Sequence, residues 1–124
     1  MSEHDQQVLV FDTLRLNEDA LPFLKWVYAV PNGGSRHPAV AGKLKAEGVK
    51  RGISDICLPF ASADEQFVGG YIEMKFGKNK PSPEQAEFLE FVSRERYMTW
   101  VAYSADTALD AIEQYCGVQL RGRR

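Results

Sequence analysis

A mixed β-sheet flanked by helices, an α/β fold, is predicted by three features of this 124-residue chain. Four segments carry apolar residues at helical spacing and are bounded by serine caps or glycine stops. Short runs between them are rich in β-branched and aromatic residues. The resulting order, α-β-α-β-β-α-β-α, puts a hairpin in the middle and then alternates strands with helices, which argues a mixed sheet with helices on its faces.

Each element has its own local reason. Ser2 with Asp5 three residues on is a capping-box pattern, and Gln7, Val10, Phe11 and Leu14 follow as one helical face, with Glu3 one turn before Gln7. Residues 18–22 read as a loop, and Phe23 to Val30 as a strand stopped by the turn signal Pro31-Asn32-Gly33-Gly34. Pro38 to Glu47 reads as a short helix with Gly48 at its C-terminal cap. Ile53 to Phe60 and Phe67 to Phe76 are expected to pair as a hairpin across the polar loop 61–66, and a basic loop from Gly77 to Pro81 follows. Ser82-Pro83-Glu84-Gln85 is a helix start with serine as cap, proline at the first position and glutamine at the third. That helix directs Ala86, Phe88, Leu89 and Val92 toward a core. Tyr97 to Tyr103 is the last strand. Ser104 caps a final helix with the stripe Ala108, Leu109, Ile112 and Cys116, closed by Gly117.

The length suits one domain with a single core, expected over residues 1–117, followed by a basic tail over 118–124. No stretch approaches the length of a membrane span, and the opening MSEHDQQ lacks the build of a signal peptide, so a cytoplasmic protein is expected. Cys57 and Cys116, 59 positions apart and without a CxxC partner, read as reduced core thiols. A net charge of −2 does not advertise a nucleic-acid binder. The bases are nonetheless gathered, in Arg36 to Arg51, in Lys75 to Lys80 and in Arg121, Arg123 and Arg124. Either solvated surface or phosphate contact explains such clusters.

The informative stretch is GISDICLP followed, 18 residues after Asp55, by Glu73 in YIEMKF. Alternation along a strand puts Tyr71, Glu73 and Lys75 on one face and Ile72, Met74 and Phe76 on the other. If Asp55 lies on the adjacent strand, the two carboxylates converge. With the Met74 carbonyl they form an oxygen-rich site suited to Mg²⁺ or Mn²⁺. Lys75 beside the ion can orient or deprotonate an attacking water and stabilise charge on a transferring phosphate. A strand face that is merely solvated would carry the same residues, so spacing alone leaves both readings open.

The runs PNGGSRHPAVAGKLKAEGVKRGISDICLP and GGYIEMKFGKNKPSPEQAEFLEFV resemble the VRR-NUC domain, a branch of the PD-(D/E)xK nuclease superfamily. The resemblance extends from Glu3 to about Tyr115 and rests on motifs that agree in order: an early helical Glu, the PNGG turn, K-A-E-G, G-x-x-D at Gly52 to Asp55, E-x-K, and S-x-x-Q. It implies a restriction-endonuclease-like fold and a divalent-metal-dependent DNA endonuclease. Asp55, Glu73 and Lys75 are the implied catalytic residues, joined by Glu3, which supports the metal through water, and by Gln85. Gln85 has a second reading, as the capping-box residue of its helix. Ser54 departs from the family, where proline is common at that position. Arg36, Lys43, Lys78 and Lys80 are the expected nucleic-acid contacts, with His37 and Lys45 as lesser ones. Short stand-alone members of phage type act as homodimers on branched DNA such as four-way junctions, which sets the expectation here. A flap or duplex-end nuclease and a non-catalytic DNA-binding module are the alternatives.

Overall fold

Four strands form one sheet in the order β1-β2-β3-β4: β1 (Tyr28–Ala29), β2 (Ile56–Leu58), β3 (Gly69–Met74) and β4 (Tyr97–Ala102). The first two pairings are antiparallel and the third is parallel. Four α-helices accompany them among the described residues: α1 (Glu3–Asn17), α2 (Pro38–Ala46), α3 (Pro83–Arg94) and α4 (Ala105–Cys116). This is the expected mixed-sheet α/β fold. The structure, a computed structural model, describes residues 1–31 and 37–123. Helix α3 connects β3 to β4, the crossover that a parallel pair requires.

The helix starts form as the sequence dictates. Ser2 and Asp5 exchange reciprocal bonds, Asp5 N–H to Ser2 Oγ at 3.1 Å and Ser2 N–H to Asp5 Oδ2 at 3.0 Å. Ser82 with Gln85 and Ser104 with Thr107 repeat the arrangement on α3 and α4, and Gly117 closes α4 in the left-handed region. Val10 and Leu14 of α1 and Ala108, Leu109 and Ile112 of α4 bury against one face of the sheet. They meet Ile56, Leu58, Ile72, Met74 and Ala102 there. Helix α3 lies on the opposite face, with Phe88 edge-on to Tyr71 at a centroid distance of 4.9 Å. Cys57 and Cys116 are free thiols.

Several expectations need correction. The strand expected over Phe23 to Val30 is a 3-10 helix, Pro22–Trp26, followed by only two residues of β1. Pro22 fixes φ at the helical start, and side chains three apart share a face in this geometry. Leu24 and Val27 are the buried residues of the segment, whereas alternation would have put them on opposite faces. The two hairpin strands are shorter than read. Phe76 therefore lies beyond β3 and is exposed rather than facing the core with Ile72 and Met74. Ala86 is also exposed, because α3 turns Phe88, Leu89 and Val92 toward the sheet and Ala86 away from it. Helix α2 has no buried residue.

Residues 118–123 lie along the helices. Leu120 is buried, the Asn17 side chain bonds the Arg121 backbone in both directions, and Arg123 reaches Asp106, Asp110 and Glu113 of α4. Arg124 lies outside the described residues.

At the start of the G-x-x-D segment, Gly52 has φ +83°, and a Cβ placed there would sit 2.8 Å from the Glu84 carbonyl carbon. The loop that delivers Asp55 therefore packs directly on the first turn of α3, and only glycine permits both the conformation and the approach. Gly52→Ala is expected to lower stability by about 1–3 kcal/mol, read as a lower urea midpoint at unchanged slope.

Candidate active site

The register across the hairpin brings the two carboxylates together. Ile56 pairs with Ile72, so Asp55, one residue before β2, stands opposite Glu73. The Met74 amide donates to Asp55 Oδ2 at 2.7 Å, and the Asp55 carbonyl accepts from Val30 N–H at 2.8 Å. Asp55 is thus tied to strands on both sides. Because N–H and C=O of a strand residue point to the same edge, the Met74 carbonyl is also directed toward Asp55.

Glu73 is 1% exposed. Its Oε2 accepts from Gln85 Nε2 at 3.0 Å and lies 3.8 Å from Lys75 Nζ. Its Oε1 is buried with no hydrogen-bond partner among the described residues. Burial raises the Glu73 carboxyl to about 8, and Asp55 adds to the effect through a hydrogen bond and its charge. Lys75 opposes the rise, and the Glu3 charge contributes a smaller increase. A carboxylate this buried, with one oxygen unsatisfied and a second carboxylate beside it, holds a proton unless a cation is present.

Gln85 does both things that the sequence allowed. Its Oε1 accepts from Ser82 N–H at 2.8 Å, closing the capping box, while its Nε2 reaches Glu73. One amide thus links the start of α3 to the buried carboxylate. Lys75, just beyond β3, is held in the sheet by its N–H bond to the Ala102 carbonyl at 2.9 Å, and its side chain is only 12% exposed.

Glu3, Gln7 and Asp55 line a groove of about 860 Å³ between α1, the 3-10 helix and β1, together with Phe11, Leu24 and Lys25. Gln6 escaped the sequence reading. Its Oε1 accepts from Ala105 N–H at 2.6 Å and so ties the first turn of α1, which carries Glu3, to the start of α4. No sequence pattern marks a contact between residues 99 positions apart. Ser54 is fully buried, and its hydroxyl has no partner among the described residues.

The expected nucleic-acid contacts are placed differently. Lys43 on α2 and Lys78 and Lys80 in the loop after β3 are exposed, the latter two within five residues of Lys75. His37 caps α2, its Nδ1 accepting from Ala39 N–H at 3.1 Å. Arg36 and most of the PNGG turn lie outside the described residues.

Among the described residues no three His, Cys, Asp or Glu side chains form a metal-binding group. Two carboxylates and a backbone carbonyl nevertheless offer hard oxygen donors, and Glu73 Oε1 is a buried lone-pair site that no donor satisfies among the described residues. That set fits a small divalent cation.

The family model of the VRR-NUC domain matches residues 1–106. A solved structure of a VRR_NUC domain protein is similar, with a TM-score of 0.75 and 25% identity over 95% of this chain and 90% of that one. No curated protein matches the sequence.

In the absence of divalent cations, folded Glu73 keeps its proton to about pH 8, whereas unfolded glutamate loses it near its ordinary value of 4.5. The native state binds the extra proton between those values, so this group's stabilisation is full below that window and is lost as pH rises through it. In chelator, the urea midpoint is expected to fall between about pH 5 and pH 8, and Glu73→Gln is expected to flatten that fall. Mg²⁺ or Mn²⁺ should restore the midpoint of the wild-type chain at the upper end.

Proposed function

The chain belongs to the VRR-NUC domain family, whose domains are nucleases of the PD-(D/E)xK type, and on that premise we propose a divalent-metal-dependent DNA endonuclease acting on branched DNA such as four-way junctions. The observation that carries the reading is the buried Glu73 carboxylate with one unsatisfied oxygen, set between Asp55 and Lys75.

Asp55, Glu73 and the Met74 carbonyl would hold Mg²⁺ or Mn²⁺, with Glu3 supporting it through water. A bound divalent cation supplies polarisation of the scissile phosphate and makes water a stronger acid. The chain's own groups do the rest. Lys75 Nζ orients the attacking water by hydrogen bonding and sets a positive charge beside the phosphate oxygens as negative charge develops on them. Gln85 Nε2 holds Glu73 Oε2 in place, so the carboxylate does not rotate out of register. In-line attack leaves a 5′-phosphate and a 3′-hydroxyl.

Arg36, Lys43, Lys78 and Lys80 supply phosphate contacts outside the carboxylate cluster, as point charges that position DNA without reading its sequence. A homodimer suits a junction, since two sites about a two-fold axis match a substrate of that symmetry. No helix among the described residues is long and apolar enough to cross a membrane, and we place the activity in the cytoplasm of a bacterial or phage-infected cell.

Labelled four-way junctions, flaps and linear duplexes incubated with Mg²⁺ or Mn²⁺ test this directly. The junction is expected to be cut fastest, with Glu73→Ala and Lys75→Ala each slowing cleavage by about 10²-fold or more while binding persists. Preferred cutting of flaps or duplex ends would move the assignment to another substrate. Binding without cleavage above the Lys75→Ala level would leave a non-catalytic DNA-binding module.

A further inference from the structure

The strand register places an exposed aromatic side chain one row from the carboxylates. Val30 N–H bonds the Asp55 carbonyl, and Asp55 stands opposite Glu73, so Val30, Asp55 and Glu73 form one row across the sheet. Two residues along each strand, Tyr28 pairs with Cys57 and Cys57 with Tyr71. Side chains two apart share a face, so Tyr28, Cys57 and Tyr71 lie on the same face as Glu73, about 7 Å away along the strands. That is close to the spacing between successive nucleotides of an extended strand.

The row is not uniform. Tyr71 is occupied, with Phe88 of α3 edge-on to it and the Tyr97 ring tilted against it at 5.4 Å. Cys57 is buried. Tyr28 is 49% exposed at the sheet edge. Trp26, two residues earlier and 62% exposed, has the Lys25 ammonium 5.2 Å from its ring centroid, adding positive charge to this edge. The buried Val27 between them takes the core side, so both aromatic rings project to solvent. A solvent-facing ring near cationic charge has the makings of a stacking platform for an unpaired base.

We propose that Tyr28 stacks on an unpaired nucleobase next to the phosphodiester held at Asp55 and Glu73, which makes the substrate a DNA with a base displaced from its duplex at the cut. The inference rests on the nuclease reading for the position of the phosphodiester. A base inside a continuous duplex has both faces covered by its neighbours and offers Tyr28 nothing to stack on.

The test measures binding of the full chain, without divalent cation, to a junction carrying 2-aminopurine at the branch and to a continuous duplex with the same label. Tyr28→Ala is expected to bind the junction about tenfold more weakly with duplex binding unchanged, and Tyr28→Phe to bind like wild type. The 2-aminopurine fluorescence should be quenched by the wild type and by Tyr28→Phe, but not by Tyr28→Ala. Equal weakening on both DNAs, no weakening on either, or a change of oligomeric state in Tyr28→Ala overturns the proposal. Cleavage by the wild-type chain with Mg²⁺ or Mn²⁺ is scored separately. Its absence would remove the nuclease reading, while the fluorescence result speaks to stacking alone.

Discussion

The burial of Glu73 beside Asp55 is the constraint on which the rest of the site depends. A buried carboxylate beside a second one resists ionisation, and nothing about folding alone would favour that arrangement. The sheet enforces it. Asp55 is fastened by the Met74 amide on one side and the Val30 amide on the other, and Glu73 sits on β3 between two paired strands. The backbone ladder thus opposes the electrostatic tendency of the pair to separate. The Glu73 oxygen left without a partner among the described residues marks that conflict, and a bound cation would relieve it.

Helical elements brace the same point from outside the sheet. Gln85 spends one end of its amide on capping α3 and the other on Glu73, so the helix start and the carboxylate geometry are one structural unit. The loop from Gly52 to Asp55 is pressed on that same first turn of α3. On the other side, Gln6 fixes the opening of α1 to α4 and with it the location of Glu3 at the mouth of the groove. Two of these braces are side-chain bonds to helix-start amides, and the third is the packing of Gly52 on α3. This gives the charges fixed positions while their own interactions stay unfavourable.

The sequence made the helices legible because their signals are local. Ser2, Ser82 and Ser104 announce their helices through residues three positions on, and all three caps form. The face carrying Tyr71, Glu73 and Lys75 followed from alternation alone. Strand lengths were less legible, since apolar runs continue past the point where pairing stops, as at Phe76. The segment from Pro22 to Trp26 was misread because aromatic and aliphatic residues suit a strand and a 3-10 helix equally, and only the shared burial of Leu24 and Val27 separates the two. Resemblance to a family named Asp55, Glu73, Gln85 and Glu3, yet the dual bonding of Gln85 and the bridge from Gln6 depend on tertiary placement that no spacing records.

The most direct measurement is calorimetric titration of Mg²⁺ or Mn²⁺ into the metal-free chain, repeated in buffers of different ionisation enthalpy to count protons released. If the cation takes the place of the proton on buried Glu73, about one proton leaves per ion at pH 7, falling toward none above roughly pH 9, and Glu73→Gln releases none. Binding that releases no proton at pH 7, or that is as tight in Glu73→Gln as in the wild type, would contradict the assignment of Glu73 as the buried carboxylate that awaits the metal.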